Sequence, residues 1–189
     1  MDRHAEGKKK KEGGETIKMK INYKKNLKFV TLLITALLIA TVSAQVYNYM
    51  YIDGSVSFTT GTGLKWIEGA DAPSGTSIAG ATVNLPFTAR NGTTANYTYC
   101  LYIQNLDNST HSLLISVTND ATAGYYDEFN MFVFNNVTGT QIDVINLLTS
   151  DSYSGTMGAL AVWRLTFEIA AKSTQTSGSD TFDIQFRYE

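Results

Sequence analysis

The sequence predicts an all-β protein, an antiparallel β-sandwich preceded by a signal peptide. Three observations predict it. Apolar and polar residues alternate with a period of two in five stretches, the spacing that sends successive side chains to opposite faces of a sheet. Clusters of Gly, Asn, Asp and Ser separate these stretches at short intervals, as hairpin connections do. Only Gln141 to Leu148 (QIDVINLL) has apolar residues at helical spacing, which predicts one or two helical turns there. Seven to nine strands with so little helix fit a sandwich better than any layered α/β arrangement.

The chain opens with a targeting segment. Phe29 to Val42 is an uncharged, mostly apolar run of fourteen residues, preceded by Lys18, Lys20, Lys24, Lys25 and Lys28 and followed by Val42-Ser43-Ala44. A basic region, an apolar run and a small-residue site describe a secretory signal peptide, cut between Ala44 and Gln45. A retained anchor is the rival, but about twenty residues are needed to span a bilayer. Residues 1–44 are therefore assigned to the signal peptide, with Met19 an alternative start. Membrane contact is then transient and the mature chain is extracellular.

The first stretch after that site, Gln45 to Thr59, is the longest alternation. Val46, Met50, Ile52, Val56 and Phe58 fall on one face, with Asn48 and Gly54; Tyr47, Tyr49, Tyr51, Asp53, Ser55 and Ser57 fall on the other. Gly61-Thr62-Gly63 follows as a joint. The division read from this is 1–44 signal peptide, 45–60 a separate N-terminal strand and 61–189 the sandwich.

Further along, Leu64 to Ile67 is a short strand and Gly69 to Gly75 a loop. Ile78 to Ala89 is extended, with Ala81, Val83, Leu85 and Phe87 inward. Ala95 to Gln104 puts Tyr97, Tyr99, Leu101 and Ile103 on one face and Cys100 on the other. Leu113 to Thr118 is a strand. Phe129 to Phe134 has aromatics on both faces, which predicts cover on both. Ser150 to Gly158 reads as a loop. Ala161 to Ala170 turns Trp163, Leu165, Phe167 and Ile169 inward, and the last strand does the same with Phe182, Ile184, Phe186 and Tyr188.

Charge and composition exclude several functions. Ten of the fifteen Lys and Arg, but four of the seventeen Asp and Glu, precede residue 45. The mature chain keeps five basic and thirteen acidic residues, a net charge of −8. Such a surface is a poor partner for nucleic acid. Cys100 is the single cysteine, so no internal disulfide forms. No HExxH, GxSxG or P-loop spacing occurs, and His111, the only histidine after residue 44, reads as a solvated turn residue. The carboxylates Asp120, Asp127, Glu128 and Asp151 are scattered, which favours an acidic surface over a calcium site. No catalytic residue, metal or cofactor is assigned. Four Asn-x-Ser/Thr sequons begin at Asn91, Asn96, Asn108 and Asn136, three in turns and Asn96 on a polar strand face. They are sites for N-linked glycans, with polar turn chemistry the competing reading.

The closing segment, Trp163 to Lys172 followed by Gly178-Ser179-Asp180-Thr181-Phe182-Asp183-Ile184, resembles the strand, turn and final "SDTF" strand of the TasA/camelysin group of biofilm fibre proteins. Tyr102-Ile103-Gln104-Asn105 is similar to that group's central strand, although Leu106-Asp107-Asn108 replaces its Gly-containing turn. A signal peptide leading straight into a strand is similar to the same group, and the four sequons and the absence of a cysteine pair suit its archaeal bundling-pilus branch. The resemblance implies a jelly-roll-like sandwich whose N-terminal donor strand fills a groove in the next subunit. It thus implies a homopolymer built head-to-tail by donor-strand complementation, which bundles with neighbouring filaments. Val46, Met50, Ile52, Val56 and Phe58 would be the buried donor residues, and Tyr47, Tyr49 and Tyr51 the other face. The alternatives are a monomeric carbohydrate- or surface-binding sandwich, for which an aromatic row is also suited, and an S-layer accessory protein.

Overall fold

The computed structural model describes residues 28, 30–32, 49–59, 63–175 and 177–188. Two units are distinguished, Met1–Val46 and Tyr47–Glu189. In the first, Lys28 and Val30 to Leu32 are helical and exposed; the rest of the proposed signal peptide, with Ala44 and Gln45, lies outside the described residues. Among the described residues no helix is long and apolar enough to cross a membrane.

Alternation becomes two stacked sheets in the second unit. Among the described residues there are eleven strands. They are β1 (Tyr49–Thr59), β2 (Leu64–Glu68), β3 (Ser77–Ala79), β4 (Thr82–Arg90), β5 (Thr94–Asn105), β6 (His111–Asn119), β7 (Tyr126–Asn135), β8 (Gln141–Asn146), β9 (Ser152–Met157), β10 (Val162–Ala171) and β11 (Gly178–Tyr188). One sheet has the order β3-β4-β1-β11-β6-β9, the other β2-β5-β10-β7-β8. All pairs are antiparallel except β1 with β11. The protein is an all-β sandwich. Its core interleaves one face of each sheet, as β10 illustrates: Trp163, Leu165, Phe167 and Ile169 are buried and the residues between them are half-exposed.

Several sequence expectations change. Gln141 to Leu148 is not helical: Gln141 to Asn146 form β8, paired to β7, and Leu147 to Ser150 turn. As an edge strand with a register shift opposite Val133 and Phe134, β8 shows a blurred alternation that mimics a helical spacing. The supposed loop Ser150 to Gly158 contains β9, whose small polar residues face out while Met157 is buried. Ile78 to Ala89 is a hairpin, with Gly80 at φ +62° and Ala81 exposed in the turn between β3 and β4. His111 is not a loose turn residue but the first residue of β6. Phe129, Met131 and Val133 line the core, whereas Phe132 and Phe134 lie half-buried on the outer face of their sheet.

The largest local departure is in β5. Leu101 pairs with Leu165 but Tyr97 pairs with Phe167, so Thr98, Tyr99 and Cys100 stand opposite Thr166 alone. This wide bulge turns Cys100 into the core and Tyr99 out of it. The segment after β2 caps it: the Gly69 and Asp71 amides donate to the Cys100 and Tyr99 carbonyls, and Asp71 accepts from the Tyr99 amide. Position 69 must be glycine, because a Cβ there would collide with the Tyr99 carbonyl. Arg164 fills the outer surface so vacated, its guanidinium 4.9 Å from the Tyr99 ring centre and 4.7 Å from that of Phe134.

Candidate functional site: the β1 slot

The residues assigned to a separate donor segment lie inside the sheet of their own chain. β1 is hydrogen-bonded along both edges, to β4 from Tyr49–Arg90 to Ser57–Thr82 and to β11 from Met50–Gly178 to Thr59–Arg187. Met50, Ile52, Val56 and Phe58 are fully or almost fully buried. Tyr49 and Tyr51 are on the opposite face and exposed, as the alternation requires. Val46 and Tyr47 lie outside the described residues.

The slot is shaped as well as apolar. Val83, Leu85, Phe87 and Ala89 of β4 form one wall, and Phe182, Ile184 and Phe186 of β11 the other. At its centre Gly54 pairs with Phe182, and a Cβ at position 54 would collide with the tip of the Phe182 ring. That ring in turn meets Phe129, Phe167 and Phe87. A slip of one residue would put Asp53 or Ser55 under the ring, so Gly54 and Phe182 set the register. At the C-terminal end of the strand Phe58 stacks on Trp66, centroids 4.2 Å apart and planes parallel to within 1°. The edge of Phe186 closes this cluster. Burial of Met50, Ile52, Val56 and Phe58 contributes roughly 8 kcal/mol at about 2 kcal/mol each.

On the outer face Ser55 donates its hydroxyl to the Asp183 carboxylate. The sequence placed the apolar face of β1 and its tyrosines, but not Gly54 and Phe182 as a pair. Gly54, set between Ile52 and Val56 on the apolar face, was the available signal.

The other assigned positions separate by accessibility. Asn96, Asn108 and Asn136 are exposed. Asn91 is half-buried and its amide nitrogen donates to the Gln175 carbonyl. Sugar on Asn91 would have to replace one of the two hydrogens of this half-buried nitrogen and fit beside the Gln175 carbonyl. Mass spectrometry of glycopeptides from native material should find modification on Asn96, Asn108 or Asn136 and none on Asn91; an occupied Asn91 beside three bare sites would reverse the order.

His111 Nε2 lies 2.9 Å from Asp107 Oδ2, and the ring meets Tyr188 edge-on. This pair holds the loop after β5 against the last strand. The loop is further organised by the buried Asn105, which donates to the Ser109 and Gly158 carbonyls and accepts from the Asp107 amide. Asp151 accepts from the Asn146 and Ser152 amides, and Asp120 from the Ser150 hydroxyl, so these carboxylates serve the turn around residue 150. Among the described residues no three His, Cys, Asp or Glu side chains cluster as metal ligands. Burial, with Asp71 and Glu68 adding to it, pushes the Cys100 thiol well above its ordinary range, which makes it a core residue without thiolate character. Compared with known proteins, the chain matches no family model and no curated sequence.

Proposed function

We propose that this chain is a secreted structural subunit of an extracellular filament, and that copies join by placing β1 of one in the slot of another. The observation that carries the reading is the position of β1. Among the described residues it is the first strand of its unit, it lies between β4 and β11, and its covalent link to β2 is the short stretch 60–63. A strand with those properties can be supplied by a second copy without rearranging the other ten. Strand addition of this kind draws affinity from main-chain hydrogen bonds and register from side-chain pockets. When the exchange does not close on itself it makes an open polymer. The likeness of the closing strands to the TasA/camelysin group points the same way. So do the acidic mature chain and its exposed sequons, which suit a secreted glycoprotein.

A second reading is favoured by a specific observation: β1 already fills the slot of its own chain. On that reading the protein is a monomeric surface- or sugar-binding sandwich. The exposed Tyr99 beside Arg164, or the Tyr49–Tyr51 row, would be its contact surface.

Complementation between two defective chains distinguishes the readings. Val56→Asp spoils β1 but leaves the slot intact, and Phe182→Asp spoils the slot but leaves β1 intact. Refolded together, they are expected to form a one-to-one complex in which the sound β1 fills the sound slot. Each refolded alone yields none. No complex in the mixture, with the unaltered chain monomeric at every concentration and no filaments by electron microscopy, would leave only the intramolecular reading.

A further inference from the structure

The direction of β1 constrains how exchanged copies meet. β1 begins beside Arg90 and Gly178, at the far end of the sandwich, where the Gly92 amide also bonds the Ala171 carbonyl. It leaves the slot beside Arg187, at the opposite, exit end. β2 starts at this same exit end, with Leu64 opposite Asn105. The Gly63 amide there donates to the Tyr188 hydroxyl at 3.2 Å, and the Leu106 amide to the Gly63 carbonyl at 2.7 Å.

Four residues, 60–63, connect β1 to β2. Fully extended, that connection reaches at most about 18 Å from Thr59 to Leu64. The sandwich along β1 is roughly 35 Å long at the usual strand rise. A copy whose β1 lies in another's slot must therefore start its own β2 close to the exit end of the acceptor. Its β2 starts at its own exit end, so the two exit ends adjoin. Stacking the exit end of one copy on the far end of the next is beyond the reach of the connection.

The surface at the exit end agrees with this. Three loops meet there: the Leu160 amide donates to the Asp107 carbonyl and the Asn136 amide to the Val162 carbonyl. They expose Leu106, Val137 and Leu160, which are 47%, 85% and 57% accessible. Leu160 holds φ +56°, a left-handed conformation unfavourable for a leucine and found where surrounding structure imposes it. Three exposed aliphatic side chains on three converging loops are the makings of a contact.

We infer that copies joined through β1 associate with their exit ends side by side or face to face, with Leu106, Val137 and Leu160 at the junction, and not head-to-tail along the sandwich axis. The inference rests on the strand-exchange reading above.

Asn108 and Asn136 lie on the same loops, so the junction requires both to be free of sugar and leaves Asn96 as the site for a glycan; spin-label distances test it on protein made in a host without N-glycosylation. Labels are placed at Val137→Cys, on the exit end, and at Thr174→Cys, an exposed position on the far-end connection between β10 and β11. The buried Cys100 stays unlabelled in folded protein. Singly labelled chains are assembled alone and as mixtures. The expected result is a 137-to-137 separation between copies shorter than the 137-to-174 separation. A 137-to-174 separation that is the shorter of the two overturns the inference while leaving strand exchange standing. Discrete dimers with short 137-to-137 distances support it and remove the open filament. A monomer at every concentration, with no distances between copies, removes both.

Discussion

Gly54→Val is expected to destabilise the folded protein by about 3 kcal/mol, near the top of the range for forcing extra carbon into a packed core. The reason is local and geometric, because the first added carbon collides with the tip of the Phe182 ring. The ring cannot swing aside freely, since Phe87, Phe129 and Phe167 surround it. Gly54→Ala should already show much of the effect. The decisive measurement is a double-mutant cycle by urea denaturation. Phe182→Ala alone removes a fully buried ring and should cost about 3–5 kcal/mol. Gly54→Val combined with Phe182→Ala should be less destabilised than the sum of the two, by roughly 1–3 kcal/mol, because the valine then occupies space the ring has left. Strict additivity would mean that Gly54 does not lie under Phe182 in solution. The register proposed for β1, in its own slot or in that of another copy, would then be wrong.

Val56→Asp is expected to have the larger effect. Val56 is fully buried between β4 and β11, and a carboxylate there meets apolar side chains from both sheets. An unpaired buried charge costs several kcal/mol, on the order of the whole stability of a domain of this size. Circular dichroism and urea denaturation should show a protein largely unfolded at room temperature, or folded with β1 displaced. Ile52→Asp should behave alike. Tyr51→Ser, on the opposite, exposed face, should fall within about 1 kcal/mol of the unaltered protein. Equal effects from the two faces would contradict the burial of Met50, Ile52, Val56 and Phe58. β1 is the third of six strands in its sheet, so deleting it exposes the Phe87 and Phe182 walls and unpairs two strand edges at once. A chain lacking residues 45–58 is expected to need the missing strand, supplied as a peptide, in order to fold.

The regions where sequence and structure agree share a physical cause. In β1, β10 and β11 one face is dry and the other wet, and a one-residue error would bury charge. Alternation is therefore strongly imposed on Met50 to Phe58, Trp163 to Ile169 and Phe182 to Phe186. Where that constraint relaxes, the sequence misleads. β8 and β9 are edge strands, half-exposed on both faces or lined by Ser, Gly and Thr, and their strand state is settled by pairing with β7 and β6. The bulge in β5 is equally silent, because Tyr99 and Cys100 exchange faces in response to the Gly69–Asp71 segment that packs on them.

By itself, then, the sequence determined the strand period of β1, its apolar face, its exposed tyrosines and the all-β class, since each follows from which residues tolerate water. Which strands lie beside β1 was decided only in the tertiary structure. Ser55 and Asp183 are 128 residues apart, and no local pattern encodes their meeting. The parallel pairing with β11 depends on the shape of the completed core, where the Phe182 ring fits only over a residue without a side chain. The exit of β1 and the start of β2 at one end of the sandwich likewise follow from strand direction in the folded sheets, and from nothing in the composition of either segment.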